Sequence, residues 1–274
     1  MDLQEKKYNF ALSSLHSFLQ NSSFDKVVIG LSGGIDSAFT ATLAADAVGP
    51  ANVFTFMLPS CYTHSSSVKD AQLVASNLGI KHDSIAINKI VESFSCALNK
   101  LFINTKTCTT EENIQARTRA VILMAVANKF NRILLATGNR SEIMTGYCTL
   151  YGDTCGGYAP ISCFFKTEVY ELAKWRNSNI PATSLNKKHN PIPTSVIKKD
   201  PSAELKPNQK DSDFLPRYEV LDKVLQLILD NKCSLDSIIQ SGFSPEVVKK
   251  VHNLVKNSAH KRTQLPHGPC LFKP

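Results

Sequence analysis

The sequence predicts an α/β protein: a doubly wound, mainly parallel sheet with helices on both faces, followed by C-terminal helices and a mobile lid. Three observations predict it. Apolar runs of strand length alternate with helical patterns along the first half of the chain. Those runs are continuous rather than alternating, as strands covered on both faces require. A glycine-rich turn, Ser32-Gly-Gly-Ile-Asp-Ser37, leaves the first of them and enters a helix, the arrangement that presents backbone N–H groups to an anion.

Each element has its own signal. Leu3, Phe10, Ala11, Leu12, Leu15, Phe18 and Leu19 recur at helical spacing and predict an opening helix over residues 3–20. Val27–Leu31 is a short strand, and Asp36–Val48 an amphipathic helix stopped by Gly49-Pro50. Asn52–Leu58 is a second strand, ended by Pro59. Ser67-Val-Lys-Asp70 has the form of a capping box, with Asp in place of Glu, and starts a helix that runs to Gly79. His82–Ile87 is a third strand, residues 88–102 and 111–130 are helical, and residues 132–137 are a fourth strand. In such sheets ligands bind beyond the strand carboxyl ends, where the winding direction reverses. The loops after Leu31 and after Ala136 both leave such ends.

Between 181 and 216 the chain turns rich in proline, lysine and serine and poor in large apolar residues. That composition suits a connector or a mobile lid, placed at residues 183–213. Helical patterns resume at 217–230 and 244–257. A single domain over residues 1–274 accounts for the whole.

Composition narrows the setting. The opening MDLQEKKYNF is polar, and no apolar run approaches the roughly 18–20 residues that span a bilayer. The expectation is a soluble cytoplasmic protein with no membrane partner. Eight cysteines, including Cys148, Cys155 and Cys163, are scattered without a C-x-x-C pair or a zinc spacing, which reads as reduced thiols. The net charge of +8 suits either a basic surface or an anionic nucleotide substrate. No arginine-rich tract or aromatic-basic RNA motif accompanies it, so no nucleic-acid partner is expected.

The glycine turn is neither a Walker A loop, which needs a following Lys-Ser/Thr, nor a G-x-G-x-x-G fingerprint. Gly33 and Gly34 let the backbone approach an anion, Ser32 and Ser37 add hydroxyl donors, and the next helix adds its N-terminus. Asp36 is the odd member. A carboxylate beside phosphates is repulsive unless a cation lies between them, and shared magnesium resolves the conflict. S-G-G-x-D-S after a first strand resembles the PP-loop of the ATP pyrophosphatase superfamily, whose fold is adenine nucleotide alpha hydrolase-like. The resemblance implies cleavage of ATP between its α and β phosphates, with an acceptor oxygen adenylated and AMP leaving.

Further stretches are more specific: Glu112-Asn-Ile-Gln-Ala-Arg-Thr-Arg119, Ala136-Thr-Gly-Asn-Arg-Ser-Glu142, Gly146-Tyr-Cys-Thr-Leu-Tyr-Gly-Asp153, Lys166-Thr-Glu-Val-Tyr-Glu-Leu-Ala173, residues 201–211 and His260-Lys-Arg262. In order and spacing they resemble the NAD synthetase family over nearly the whole chain. The resemblance implies ATP-dependent amidation of nicotinic acid adenine dinucleotide (deamido-NAD) to NAD, with AMP and pyrophosphate released. It implies catalytic roles for Asp36, Glu142 and Lys166, with magnesium held by Asp36 and Glu142. ATP would lie against Gly30, Leu31, Ser32, Gly33, Gly34, Ile35, Asp36, Ser37 and Thr137, while Lys166 and Ser202 would meet its phosphates as the lid closes. Arg117, Asp153, His260 and Lys261 would bind the dinucleotide, and the family resemblance implies a homodimer.

Ammonia-using members often carry lysine at the position of Leu150 and aspartate at that of Gly157. Here the stretch is closer to the synthetase domain of the glutamine-dependent form. Once the synthetase motifs are placed, 274 residues leave no room for a nitrilase-like glutaminase domain. Free ammonia is therefore the expected nitrogen donor, and a separate glutaminase partner remains compatible with the sequence. Three rivals stand beside this reading. They are a GMP- or asparagine-forming synthetase, a thiolating tRNA enzyme, and a non-catalytic nucleotide sensor that would not need Asp36, Glu142 and Lys166 together.

Overall fold

A computed structural model describes residues 2–269; the expected free thiol Cys270 and the last four positions lie outside the described residues. Four parallel strands form the sheet: β1 (Val27–Gly30), β2 (Val53–Met57), β3 (Lys81–Ser84) and β4 (Ile133–Leu134), in the order β3-β2-β1-β4. The winding therefore reverses between β1 and β4, and the loops after Leu31 and Ala136 flank that reversal, as expected. The edge strands are shorter than the sequence suggests. β4 has two residues because the chain then pairs with residues 157–158 instead: Gly157 N–H donates to Leu134 O (2.8 Å) and Ala136 N–H to Tyr158 O (2.9 Å).

Successive strand residues serve opposite faces, and both faces are dry. Val27, Ile29 and Leu31 share one apolar cluster with residues of α1 (Leu3–Asn21), α2 (Ile35–Val48), α3 (Ser65–Leu78) and α7 (Lys166–Ser178). Val28, Phe54, Phe56 and Leu58 pack against Leu123 and Ala127 of α5 (Thr109–Lys129), with α4 (Asn88–Leu98) beside it. This is why the strands read as continuous apolar runs. Beyond the sheet, α9 (Tyr218–Leu229) and α11 (Pro245–Asn257) form a third apolar cluster around Phe165, next to α6 (Arg140–Thr145). The short helices α8 (Thr194–Lys198), α10 (Leu235–Gln240) and α12 (Ala259–Arg262) complete the described chain. No helix among the described residues is long and apolar enough to cross a membrane.

Two helices differ from expectation. α2 is not amphipathic: Ile35 and every residue from Ser37 to Ala47 are buried. It is enclosed by the sheet, α1, α3 and α7, and its alanines and threonines allow that close approach. α3 begins three residues early, capped by His64 rather than Ser67; the His64 ring accepts the Ser66 N–H (3.2 Å). Ser67 and Asp70 are thereby released from capping; both are buried and face the 183–213 segment instead.

That segment is rooted in the core. Asp46 of α2 accepts from Tyr8 Oη (2.5 Å), Arg176 Nε (2.7 Å) and Ser184 Oγ (2.8 Å). Arg176, fully buried, also donates to the carbonyls of Asn186 and Lys188 (both 3.1 Å). One guanidinium thus joins α2, α7 and the start of the segment. A buried charge stripped of its partner is costly, so Arg176→Met is expected to lower stability by about 3–5 kcal/mol. Denaturant unfolding monitored at Trp175 checks this; an unchanged midpoint would show the network to be dispensable.

Candidate active site

The carboxyl edge of the sheet opens into one cleft of about 660 Å³. Gly30, Leu31, Ser32, Gly34, Ile35, Asp36, Ser37, Thr137, Asp153, Lys166, Ser202 and Lys261 all line it, as does Glu142. Gly33 sits behind the loop at φ +81°, where a Cβ would lie 2.2 Å from the Ser67 carbonyl oxygen. Only glycine fits there, both for conformation and for the close approach of α3. The loop is pre-shaped by its serines: Ser32 N–H donates to Ser37 Oγ (3.2 Å), and that hydroxyl donates to Gly34 O (3.0 Å).

Two carboxylates meet beside this loop, brought from either side of the winding reversal. Asp36 lies in the first turn of α2 and Glu142 in the first turn of α6. Lys166, buried at the start of α7, places its ammonium between them, 2.5 Å from Asp36 Oδ2 and 3.4 Å from Glu142 Oε1. Its position is set from behind. Its N–H donates to Ser141 Oγ (2.9 Å), and Ser141 Oγ donates to Asp222 Oδ1 of α9 (2.5 Å). Lys166 is thus held by α6 and α9 rather than by the 183–213 segment.

Burial pushes the Glu142 carboxyl up to about 8, against the pull of the Lys166 ammonium. Burial alone would lower Lys166, but Asp36 and then Glu142 outweigh it and hold the ammonium above its ordinary range. The donor set, two oxygen-bearing side chains around a shared cation, is one that a hard divalent metal would fit. Among the described residues no group of three or more His, Cys, Asp or Glu side chains could hold a metal. A metal here would therefore take its remaining ligands from phosphate and water.

The other expected residues divide. Ser202 donates to Gln209 O (2.5 Å), shaping the segment that roofs the cleft. Asp153 accepts the Thr149 N–H (2.7 Å), and Lys261 donates to the carbonyls of Gly146 (2.8 Å) and Cys148 (2.7 Å). Arg117 and His260 are exposed and do not line the cleft. Arg117 donates to Leu150 O (3.2 Å), and the His260 ring meets Asn257 O (3.1 Å). An aspartate in place of Gly157 would put its Cβ 2.6 Å from the Ile133 side chain, so that departure goes with local packing.

Several residues in or behind the cleft were not anticipated. Arg119, two positions after Arg117, lines the cleft and donates to Leu58 O (2.9 Å). Glu204 of the roof accepts the His64 N–H (3.1 Å), Ser67 Oγ (2.5 Å) and Lys199 Nζ (3.0 Å). Buried Asp211 accepts from Tyr218 Oη (2.7 Å). Asn139, fully buried, joins Asp36 to Glu142. Only Asn139 left a sequence signal: Asn-x-x-Glu is a capping box, and the structure forms it.

The family model described as NAD synthase matches residues 8–265. The chain belongs to the NAD synthase family. It is 45% identical over 273 residues to the glutamine-dependent NAD(+) synthetase of Rhodobacter capsulatus, covering 97% of this chain and 48% of that protein. The glutamine-dependent synthetase of Aquifex aeolicus is 43% identical, covering 97% and 45%. The chain thus spans about half the length of the curated relatives it matches. Among solved structures, it is similar to a glutamine-dependent NAD+ synthetase from Acinetobacter baumannii in complex with ADP (38% identity, TM-score 0.69, 100% of this chain and 47% of that one). An NMN synthetase from Francisella tularensis matches at 28% identity and TM-score 0.78 over 100% and 99% of the chains. An NH3-dependent NAD synthetase from Campylobacter jejuni matches at 26% and 0.75 over 97% and 98%.

The raised Glu142 carboxyl gives the cation site a pH dependence. A proton competes with a cation for this carboxyl, and it loses ground as the pH rises towards about 8. The Mn²⁺ affinity of the nucleotide-free chain is therefore expected to rise between pH 6.5 and 8.5, measured by paramagnetic resonance of free Mn²⁺. A flat profile would show that Glu142 does not titrate at the site.

Proposed function

We propose that this chain catalyses ATP-dependent amidation of deamido-NAD to NAD, with ammonia as the nitrogen donor at this site. The observation that carries it is the single cleft. It joins the glycine loop, the Asp36–Lys166–Glu142 triplet, and the Asp153 and Lys261 side chains. A carboxylate is a poor electrophile. In the proposed reaction its oxygen attacks the α-phosphorus of ATP, and the bond to the β,γ-pyrophosphate breaks. Ammonia then bonds to the acyl carbon, AMP leaves with the former carboxylate oxygen, and nitrogen gives up a proton.

The chain's own groups fit those needs. The N–H groups and hydroxyls of the loop receive the departing pyrophosphate at the N-terminus of α2. The Lys166 ammonium, the resting counter-ion of the two carboxylates, turns to the phosphates when nucleotide enters. Magnesium held by Asp36 and Glu142 would neutralise charge that builds on the leaving group. Thr137 at the strand end and Ser202 in the roof would hold ATP, while Asp153 and Lys261 would bind the dinucleotide. Arg117 and His260 lie outside this cleft, and we assign them to a dinucleotide held partly by a second copy in a homodimer.

We propose a lid narrower than residues 183–213. Residues 184–196 are tied by Arg176, Asp46, Ile192 and Val196 to the core. Residues 199–209 are held by polar tethers. These include Gln115 Nε2 to Leu205 O (2.9 Å) and Gln209 Nε2 to Glu112 Oε2 (3.2 Å). Polar tethers near water open more readily than apolar packing, so the moving part is 199–209. We also propose a cytoplasmic location; the described cysteines form no disulfide with one another.

The test incubates the purified chain with ATP, magnesium, deamido-NAD and either ammonium or glutamine. AMP, pyrophosphate and NAD are expected with ammonium, and little with glutamine alone. Equal turnover with glutamine would overturn the nitrogen assignment, and no NAD from either would overturn the function. Nicotinic acid mononucleotide is the competing substrate to include, since an NMN synthetase is among the similar structures. Asp36→Ala is expected to cut AMP release about a hundredfold or more while circular dichroism stays unchanged. Normal turnover by that variant would sink the magnesium assignment.

A further inference from the structure

We propose that Asn139 is the positioning residue of the cation site: its amide sets the separation and orientation of the Asp36 and Glu142 carboxylates. This rests on the metal-nucleotide reading above. Asn139 is fully buried and lies behind the cleft rather than in its wall, so it acts through its neighbours. Both ends of its amide are used. Nδ2 donates to Asp36 Oδ1 (3.0 Å), and Oδ1 accepts the Glu142 N–H (3.1 Å). Its own backbone N–H donates to Glu142 Oε2 (3.3 Å).

The consequence is a division of oxygens. On each carboxylate one oxygen is bound to Asn139, and the other faces the Lys166 ammonium: Oδ2 of Asp36 and Oε1 of Glu142. The pair is thereby turned to offer one oxygen apiece to one shared cation. Without that restraint, like charges in a buried setting would separate or rotate towards other donors. Capping alone does not require asparagine, because serine caps a helix about as well. What serine lacks is the reach and the N–H₂ group that hold Asp36.

Asn139→Ser therefore separates the two roles. It is neutral, keeps an oxygen for the Glu142 N–H, and gives up the bond to Asp36. The experiment measures Mn²⁺ binding by paramagnetic resonance, with and without α,β-methylene-ATP, alongside the thermal midpoint and steady-state kinetics. In the serine variant the Mn²⁺ affinity with nucleotide is expected to fall about 10–100-fold, the range for partners behind metal ligands. KM for metal–ATP should rise with it, and the folding midpoint should change little. Asn139→Thr, which also caps and fills more of the buried space, serves if serine destabilises the chain, and it should show the same loss. Wild-type Mn²⁺ affinity in either folded variant overturns the proposal, and so does a loss that merely tracks the thermal midpoint. If the wild-type chain itself binds no Mn²⁺–nucleotide, the functional reading fails instead, which the same titration reports separately.

Discussion

Everything at this site depends on keeping two carboxylates together where water is scarce. Asp36 and Glu142 stand in the first turns of two helices far apart in sequence, α2 and α6. They converge because β1 and β4 are neighbours at the reversal of winding. Bringing like charges into a partly dry place is unfavourable without a cation between them. In the resting chain Lys166 is that cation, and its own burial is tolerable only because both carboxylates face it. The triplet is therefore a balanced unit, and the proposed metal–nucleotide complex would enter it by exchange of charge.

The surrounding architecture maintains that unit from several sides. α2 is enclosed on every face, so Asp36 stands on a rigid support. Ser141 and Asp222 join α6, α7 and α9, so Glu142 and Lys166 share one brace. Gly33 admits the Ser67 carbonyl, and Ser67 in turn holds Glu204 of the roof. Arg176 pins the root of that roof to α2. Loop, cation site and roof are thus fixed to one another by buried polar contacts rather than by proximity alone.

Much of this was legible in the sequence, for physical reasons. Continuous apolar strands signalled a sheet covered on both faces, and the glycine loop with Asp36 marked an end of the sheet where the cleft opens. Glu142 and Lys166 were legible through the family pattern. What was hidden needed three dimensions. α2 reads as amphipathic until its neighbours are known, because alanine and threonine are tolerated on either kind of face. Ser67 and Asp70 imitate a helix start, yet His64 takes the cap and leaves them to bind the roof. Arg119 rather than Arg117 enters the cleft because successive helix positions point about 100° apart, which spacing within a motif does not reveal. Glu204 and Asp211 lie in a stretch without periodicity, where no local signal marks which carboxylate turns inward.

The central claim is that this cleft joins a substrate carboxylate to the α-phosphorus of ATP. Oxygen transfer tests it most directly. Deamido-NAD carrying ¹⁸O in its nicotinate carboxylate is turned over with ATP and ammonium, and the AMP formed is analysed by mass spectrometry. The account predicts one ¹⁸O atom in each AMP, delivered from the carboxylate when the acyl–oxygen bond breaks. AMP without label, formed alongside NAD, would contradict it.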